Sequence, residues 1–223
     1  MPTKTMVCLA NSFKNGGHCV AGVELVNGQV GGWIRPVSNR PGHALNFLER
    51  SYANNAECAL LDIIEFEVEH HVPTGYQSEN WLITVGSRWR KIGTFNVDHL
   101  APAIHNGAGP LWPHTGSTRG GSHDKIDEMN LVGIGTSLAL VRPQRCNISV
   151  SANPFNDNRL DVRASFTWGG QLTNLKITDP VAAVHYQGRG AGVYPLLNPT
   201  MCISVGEVFA ARSEAYKLVA SVI

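Results

Sequence analysis

Apolar residues along the chain come in short runs separated by turn-forming residues. Residues 5–10, 19–25 and 32–37 read as three strands, and Asn27-Gly28 supplies a hairpin turn between the last two. Residues 60–68 read as a fourth strand with Ile64, Phe66 and Val68 on one face, and 81–84 as a short fifth. Leu45 and Leu48 predict a short helix within 41–52, and 96–104 predict another with Asp98 in its first turn.

The second half is patterned more cleanly. Residues 137–141 and 146–150 read as one bent strand. From Leu160 to Trp168 alternation is strict: Leu160, Val162, Ala164, Phe166 and Trp168 share one face, and Asp161, Arg163, Ser165 and Thr167 the other. A third strand ends at Thr178. Asp179-Pro180 then places a carboxylate at an N-cap and a proline at the first helical position. Residues 201–205 and 216–223 close the half.

Both halves thus run strand, strand, strand, short helix, strand, strand, the order of a five-stranded OB barrel. The expected fold is mainly β: two consecutive five-stranded OB-type barrels with short helices, at 1–100 and 137–223. A Gly/Pro-rich connecting segment, 101–136, joins them. The rival architecture is a single larger mixed β-sandwich with insertions.

Composition narrows the function classes. The 223 residues are 43% hydrophobic and 16% charged, enough to bury cores and too apolar for disorder. A formal charge of +1 excludes coating of nucleic acid through bulk positive charge, so a nucleic-acid site must be local or the ligand small. Five cysteines at wide spacings, with no CxxC, argue against a disulfide framework or a zinc ribbon; neither metal nor cofactor is expected. No signal peptide precedes residue 7 and no apolar stretch reaches membrane-spanning length, so a cytoplasmic location is expected and membrane association is not.

Several residues carry candidate chemistry. Asn11 to Gly17 would form the loop between the first two strands, a frequent ligand-binding loop in OB barrels. There Asn11 and Ser12 offer neutral donors and acceptors, Lys14 a mobile cation, and Gly17 close backbone approach. Trp33 and Arg35, two apart on a strand, share a face and suit base stacking and phosphate contact; the alternative is a Trp covering the barrel end with Arg35 in a salt bridge. Gln77 and Asn80 could add hydrogen bonds to a base edge. Arg119, Asp124 and Lys125 sit in the central loop, whose Gly-Ser-Thr-Arg-Gly-Gly run only loosely resembles a phosphate cradle. Adjacent His70 and His71 point to opposite faces and make a poor metal pair. Cys8 could pair with a histidine such as His18, but it stands in an apolar strand, where a thiol is inert. None of the hydrolase, zincin or deaminase motifs occurs.

A set of residues spread along the chain carries a resemblance. It comprises Val7-Cys8-Leu9-Ala10-Asn11-Ser12, Lys14, Gly16-Gly17, Cys19, Ala21-Gly22 and Gly32-Trp33-Ile34-Arg35-Pro36-Val37-Ser38, then Leu111-Trp112, Gly116-Ser117, Asp124, Phe166, Thr178-Asp179-Pro180 and Tyr216-Lys217-Leu218-Val219-Ala220. With these the chain resembles the bacterial dual OB domain-containing family. The resemblance implies two OB folds and a nucleic-acid- or nucleotide-binding role. The chain departs at Leu172-Thr173-Asn174, where the resemblance implies an aromatic. The reading is therefore a non-catalytic module for single-stranded nucleic acid or a nucleotide-like small molecule. The alternatives are an enzyme acting on a nucleotide or modified base, or a scaffold for protein partners.

Overall fold

A computed structural model describes the chain apart from residues 15, 154 and 155 and the side chains of 157 and 158. The chain is mainly β. By contact density it falls into two compact units, 1–104 and 105–222, with residue 223 counted in the first.

In the first unit the strands are β1 (Thr3–Lys14), β2 (Gly17–Val26), β3 (Gln29–Val37), β4 (Asp62–His71), β5 (Asn80–Ile83) and β6 (Arg90–Thr94). They lie in the order β1-β2-β3-β5-β4-β6. A further antiparallel β1–β4 pairing, Thr3↔Glu67 through Val7↔Ile63, closes a five-stranded barrel. The pairing of β3 with β5 is parallel, and β6 lies outside the barrel against β4. Inside are Met6, Cys8, Val20, Ile34, Leu45, Tyr52, Ile64, Phe66, Val68, Ile83 and Trp89. The Ile64-Phe66-Val68 face read from alternation is the inward one.

Three expectations for this half are corrected. The polar segment expected as a loop from residue 11 is strand as far as Lys14, with Asn11↔Val20, Ser12↔Cys19 and Phe13↔His18 in register; Asn15, at its tip, lies outside the described residues. The helix expected in 41–52 is only a 3-10 turn at Leu48–Arg50. Gly42 and His43 take φ of +76° and +58°, and the Leu45 backbone is bonded to His18 in both directions, so neither is available to a helix. The helix expected at 96–104 is a 3-10 turn at Val97–Ala103, capped by the Asn96 side chain on the Asp98 N–H.

In the second unit the strands are β7 (Lys125–Asp127), β8 (Leu138–Val141), β9 (Arg145–Asn153), β10 (Asn156–Trp168), β11 (Gln171–Ile177), β12 (Gly192–Leu197), β13 (Met201–Val205) and β14 (Glu214–Val222). The sheet runs β12-β9-β10-β11-β14-β13-β8, with β7 paired to β14. β11 and β14 run parallel, Ile177 opposite Val219. Val162, Ala164 and Phe166 are buried as the alternation requires. Helix α1 (Pro180–Gly188) starts where the sequence placed it: Asp179 accepts from the N–H groups of Val181 and Ala182 at 2.9 and 3.1 Å. Its second carboxylate oxygen accepts from the Val222 N–H at 3.1 Å, which ties the helix start to β14.

Two measurements test this core. Phe66→Ala removes a fully buried ring and is expected to cost about 3–5 kcal/mol in denaturant unfolding. Asp62 tests the polar interior. Burial raises its pKa, but the Lys91 ammonium, the Tyr52 hydroxyl at 2.6 Å and the Ala59 N–H at 3.0 Å together hold it below the ordinary carboxylate value. A carboxyl so depressed contributes stability that is complete above about pH 4 and is lost as pH falls through the folded pKa. Asp62→Asn should flatten the acid limb of a stability–pH curve, leaving the share of Asp161 and Glu214, which are depressed likewise.

Candidate functional site

Because β1 pairs with β4 only from Thr3 to Val7, its far end is held by β2 alone. That end carries an exposed aromatic. The Phe13 side chain is 62% exposed, and its ring lies 5.0 Å from the His18 imidazole at 59°. Asn11 fixes the imidazole: its side-chain oxygen accepts from His18 Nδ1 at 2.7 Å while its amide nitrogen donates to the Cys58 carbonyl at 3.0 Å. Burial and the nearby Arg50 guanidinium lower the His18 pKa, so the ring is neutral at pH 7 with its proton on Nδ1. Lys14 ends β1, opposite Gly17 in the register. A Cβ on Gly17 would lie 2.2 Å from the Leu45 carbonyl oxygen, so this hairpin can pack onto Leu45 only with glycine there. Phe47, two residues further on, is also exposed, with the Arg50 guanidinium 5.8 Å from its ring. Ser12, by contrast, is buried and faces the Cys19 carbonyl.

Arg35 is not at the surface beside Trp33, which corrects the shared exposed face expected of them. Trp33 is half-buried, whereas the Arg35 side chain is 5% exposed and pairs with Glu79 at 2.8 Å. The cause is the parallel seam: Arg35 lies opposite Asn80, and its backbone N–H is bonded to the Glu79 carbonyl. Gln77 and Asn80 belong to the same buried group, Asn80 donating to Gln77 at 3.4 Å. The structure thus brings Arg35, Gln77 and Asn80 together as an internal network, and Asn11, Ser12, Lys14 and Gly17 together on the hairpin.

The central-loop residues gather in the second unit. The buried Asp124 carboxylate accepts from the Thr118 N–H at 2.7 Å, the Thr118 hydroxyl at 2.6 Å and Arg163 Nη2 at 2.9 Å. A Cβ on Gly121 would stand 1.8 Å from that carboxylate and 2.4 Å from Arg163 Nη2, so the glycine makes room for the pair. Lys125 instead pairs with Glu214, and Arg119 lies in an exposed turn. Next to this network stand His114, His123 and the buried Lys217, none of them singled out from sequence. Nearby in the chain, an open cleft of about 570 Å³ is lined by His105, Leu111, Trp112, Pro113, Ile134 and Leu138.

Two of the buried cysteines are held as thiols. Cys8 is fully buried; its hydrogen bond with Cys58 and then burial raise its pKa well above the usual value. His18 turns to Asn11 rather than to Cys8. Burial pushes Cys146 up to about 12. Among the described residues no group of three or more His, Cys, Asp or Glu side chains is placed to hold a metal ion.

A closed barrel with a parallel β3–β5 seam, followed by a second unit with a parallel β11–β14 seam, accords with one family comparison. A dual OB-containing domain matches residues 4–222. The chain belongs to the dual OB-containing domain family. The search of curated proteins and the search of solved structures each found no match. The first barrel is accordingly an OB fold, and its exposed hairpin is the loop between OB strands one and two, where such barrels often take ligands.

Two substitutions separate architecture from site. Glu79→Ala strands a buried guanidinium and is expected to cost about 3–5 kcal/mol of stability. Gly121→Ala, which forces the Asp124–Arg163 pair apart, should cost a similar amount. Thermal or denaturant unfolding of each variant checks this; wild-type midpoints would contradict it.

Proposed function

We propose that the chain binds single-stranded nucleic acid or a nucleotide through the β1–β2 hairpin of the first barrel. The observation that carries this reading is the exposed Phe13 ring, braced by a His18 that Asn11 holds in one tautomer. A base stacked on such a platform contributes about 1–3 kcal/mol, whatever its identity. Lys14 supplies the local cation for a phosphate, which is compatible with a net charge of only +1. Trp33 on β3 adds a second aromatic surface, and Gly17 lets the hairpin pack onto Leu45. Arg35, tied to Glu79, acts here only through the fold.

The same reading takes the second unit as another OB barrel. β8 and β9 would be the two arms of its bent first strand, broken at 142–144, one arm paired with β13 and the other with β10. The order then becomes first strand, β10, β11, β14, β13 and back to the first strand, as in the first unit, with β12 as an added strand. Its proposed limits follow the sequence reading, with 101–136 as the segment between barrels. A cytoplasmic location suits such a module, and no helix of the described residues is long and apolar enough to cross a membrane.

The test is fluorescence anisotropy with labelled oligo-dT and with mononucleotides, on wild type and Phe13→Ala. The ring is exposed, so the variant should keep its unfolding midpoint. Its affinity for single strands should fall about 5- to 150-fold, the range of one stacking contact. Lys14→Ala should weaken binding and reduce the salt slope by roughly 0.7, one phosphate contact on a single strand. Wild-type affinity in a folded Phe13→Ala protein would overturn the reading.

A further inference from the structure

In the second unit two side-chain donors, the buried His114 Nδ1 and the ammonium of Lys217, have no protein hydrogen-bond partner among the described residues. Lys217 stands on β14 in the same alternating set as Ala215, Val219 and Ser221, each fully buried, and is itself only 4% exposed. Its backbone N–H donates to the Asp124 carbonyl at 2.9 Å. Among the described residues its ammonium group has neither a hydrogen bond nor an ion pair. Asp124, the nearby carboxylate, is already taken by Thr118 and Arg163.

His114 is the second donor. Its Nε2 lies 3.0 Å from the Gln171 side-chain nitrogen. An amide nitrogen only donates, so Nε2 accepts and the ring proton sits on Nδ1. That Nδ1 is buried and has no partner. The His114 ring packs edge-on against His123 at 4.4 Å, and His123 Nδ1 is turned to the Leu172 carbonyl at 2.8 Å. The other charged groups at this spot are committed: Arg163 to Asp124 and Asn174, and Lys125 to Glu214.

An unpartnered buried donor such as His114 Nδ1 is uncommon in folded proteins, and a largely buried cation whose neighbouring carboxylate is already taken by other donors is poorly compensated. The consequence is visible in both groups. Burial drives the Lys217 pKa down to about 8, with Asp124 only partly offsetting it. Burial, His123 and Lys217 together lower that of His114. Every one of these penalties would be relieved by one negatively charged acceptor placed between the two side chains.

The geometry points to an oxyanion site in the second unit, in which Lys217 Nζ and His114 Nδ1 hold a phosphate or the phosphate of a nucleoside monophosphate. Arg163 and Asp124 are positioning residues, holding the loop from Thr118 to Asp124 against β10 and β14. The inference is independent of the first barrel's hairpin and stands whether or not that hairpin binds nucleic acid.

The experiment uses the whole chain at pH 7 and constant ionic strength, exchanging chloride for inorganic phosphate, with a nucleoside 5′-monophosphate in a second arm. The wild-type melting temperature should rise saturably with at least one of them, and the anion that acts at lower concentration names the source. In Lys217→Met the rise should vanish, while the melting temperature without anion equals or exceeds that of wild type, since an unpaired buried charge has gone. A second readout needs no variant: in ring NMR spectra of wild type, the same anion should raise the His114 pKa by about one unit or more. No saturable rise with either anion, an equal rise in Lys217→Met, or a His114 titration indifferent to the anion would each overturn the assignment.

Discussion

The closure of the first barrel by β1 is the constraint on which the rest of that unit depends. One strand must satisfy two neighbours, β4 over Thr3–Val7 and β2 over Met6–Lys14. Only about two residues are bonded on both sides, so the strand runs on beyond the barrel with β2 as its sole partner. The interior is completed by Met6 and Cys8, whereas Phe13 falls outside the barrel's reach. An aromatic that alternation would otherwise bury is thereby left in solvent. The bridge of His18 to Leu45 and the absence of a Gly17 side chain keep the extension packed onto Leu45.

The two units treat a buried cation in opposite ways. In the first, Arg35 at the parallel seam is neutralised by Glu79 and bonded into a network with Asn80 and Gln77. Removing one member is destabilising because the remaining charge cannot reach water. In the second, Lys217 sits one residue before the parallel pair Lys176↔Leu218, and Asp124, the acid that acts on it, is committed elsewhere. One arrangement carries its own counter-charge, Glu79, and serves the fold. The other is open by one negative charge.

Much of the fold was legible in the chain. The buried Val162, Ala164 and Phe166 of the alternating run, the Ile64-Phe66-Val68 face and the Asp179-Pro180 helix start each depend on neighbours in sequence and stand where expected, although Leu160 at the start of that run is exposed and Arg163 on its polar face is buried. What could not be read depends on distant partners. The burial of Arg35 is decided by Glu79, forty-odd residues later and across a parallel pairing. The helix expected at 41–52 gives way because Leu45 bonds to His18, again a tertiary contact. Asn11, Lys14 and Gly17 were visible as a polar turn, but Phe13 within it carries no local sign of exposure. Lys217 had one: a lysine in step with Ala215, Val219 and Ser221 is a charge on an inward-facing set.

The central claim is that the exposed end of the β1–β2 hairpin is where the first barrel meets its ligand. Its most direct test is NMR titration of the whole protein with a short single-stranded oligonucleotide, following backbone amides and aromatic ring signals together. The account predicts that the largest shift changes fall on Phe13, Lys14, Gly17 and His18, with lesser ones on Trp33 and none on the buried Arg35 guanidinium. Saturable binding that leaves the hairpin signals unmoved would contradict it.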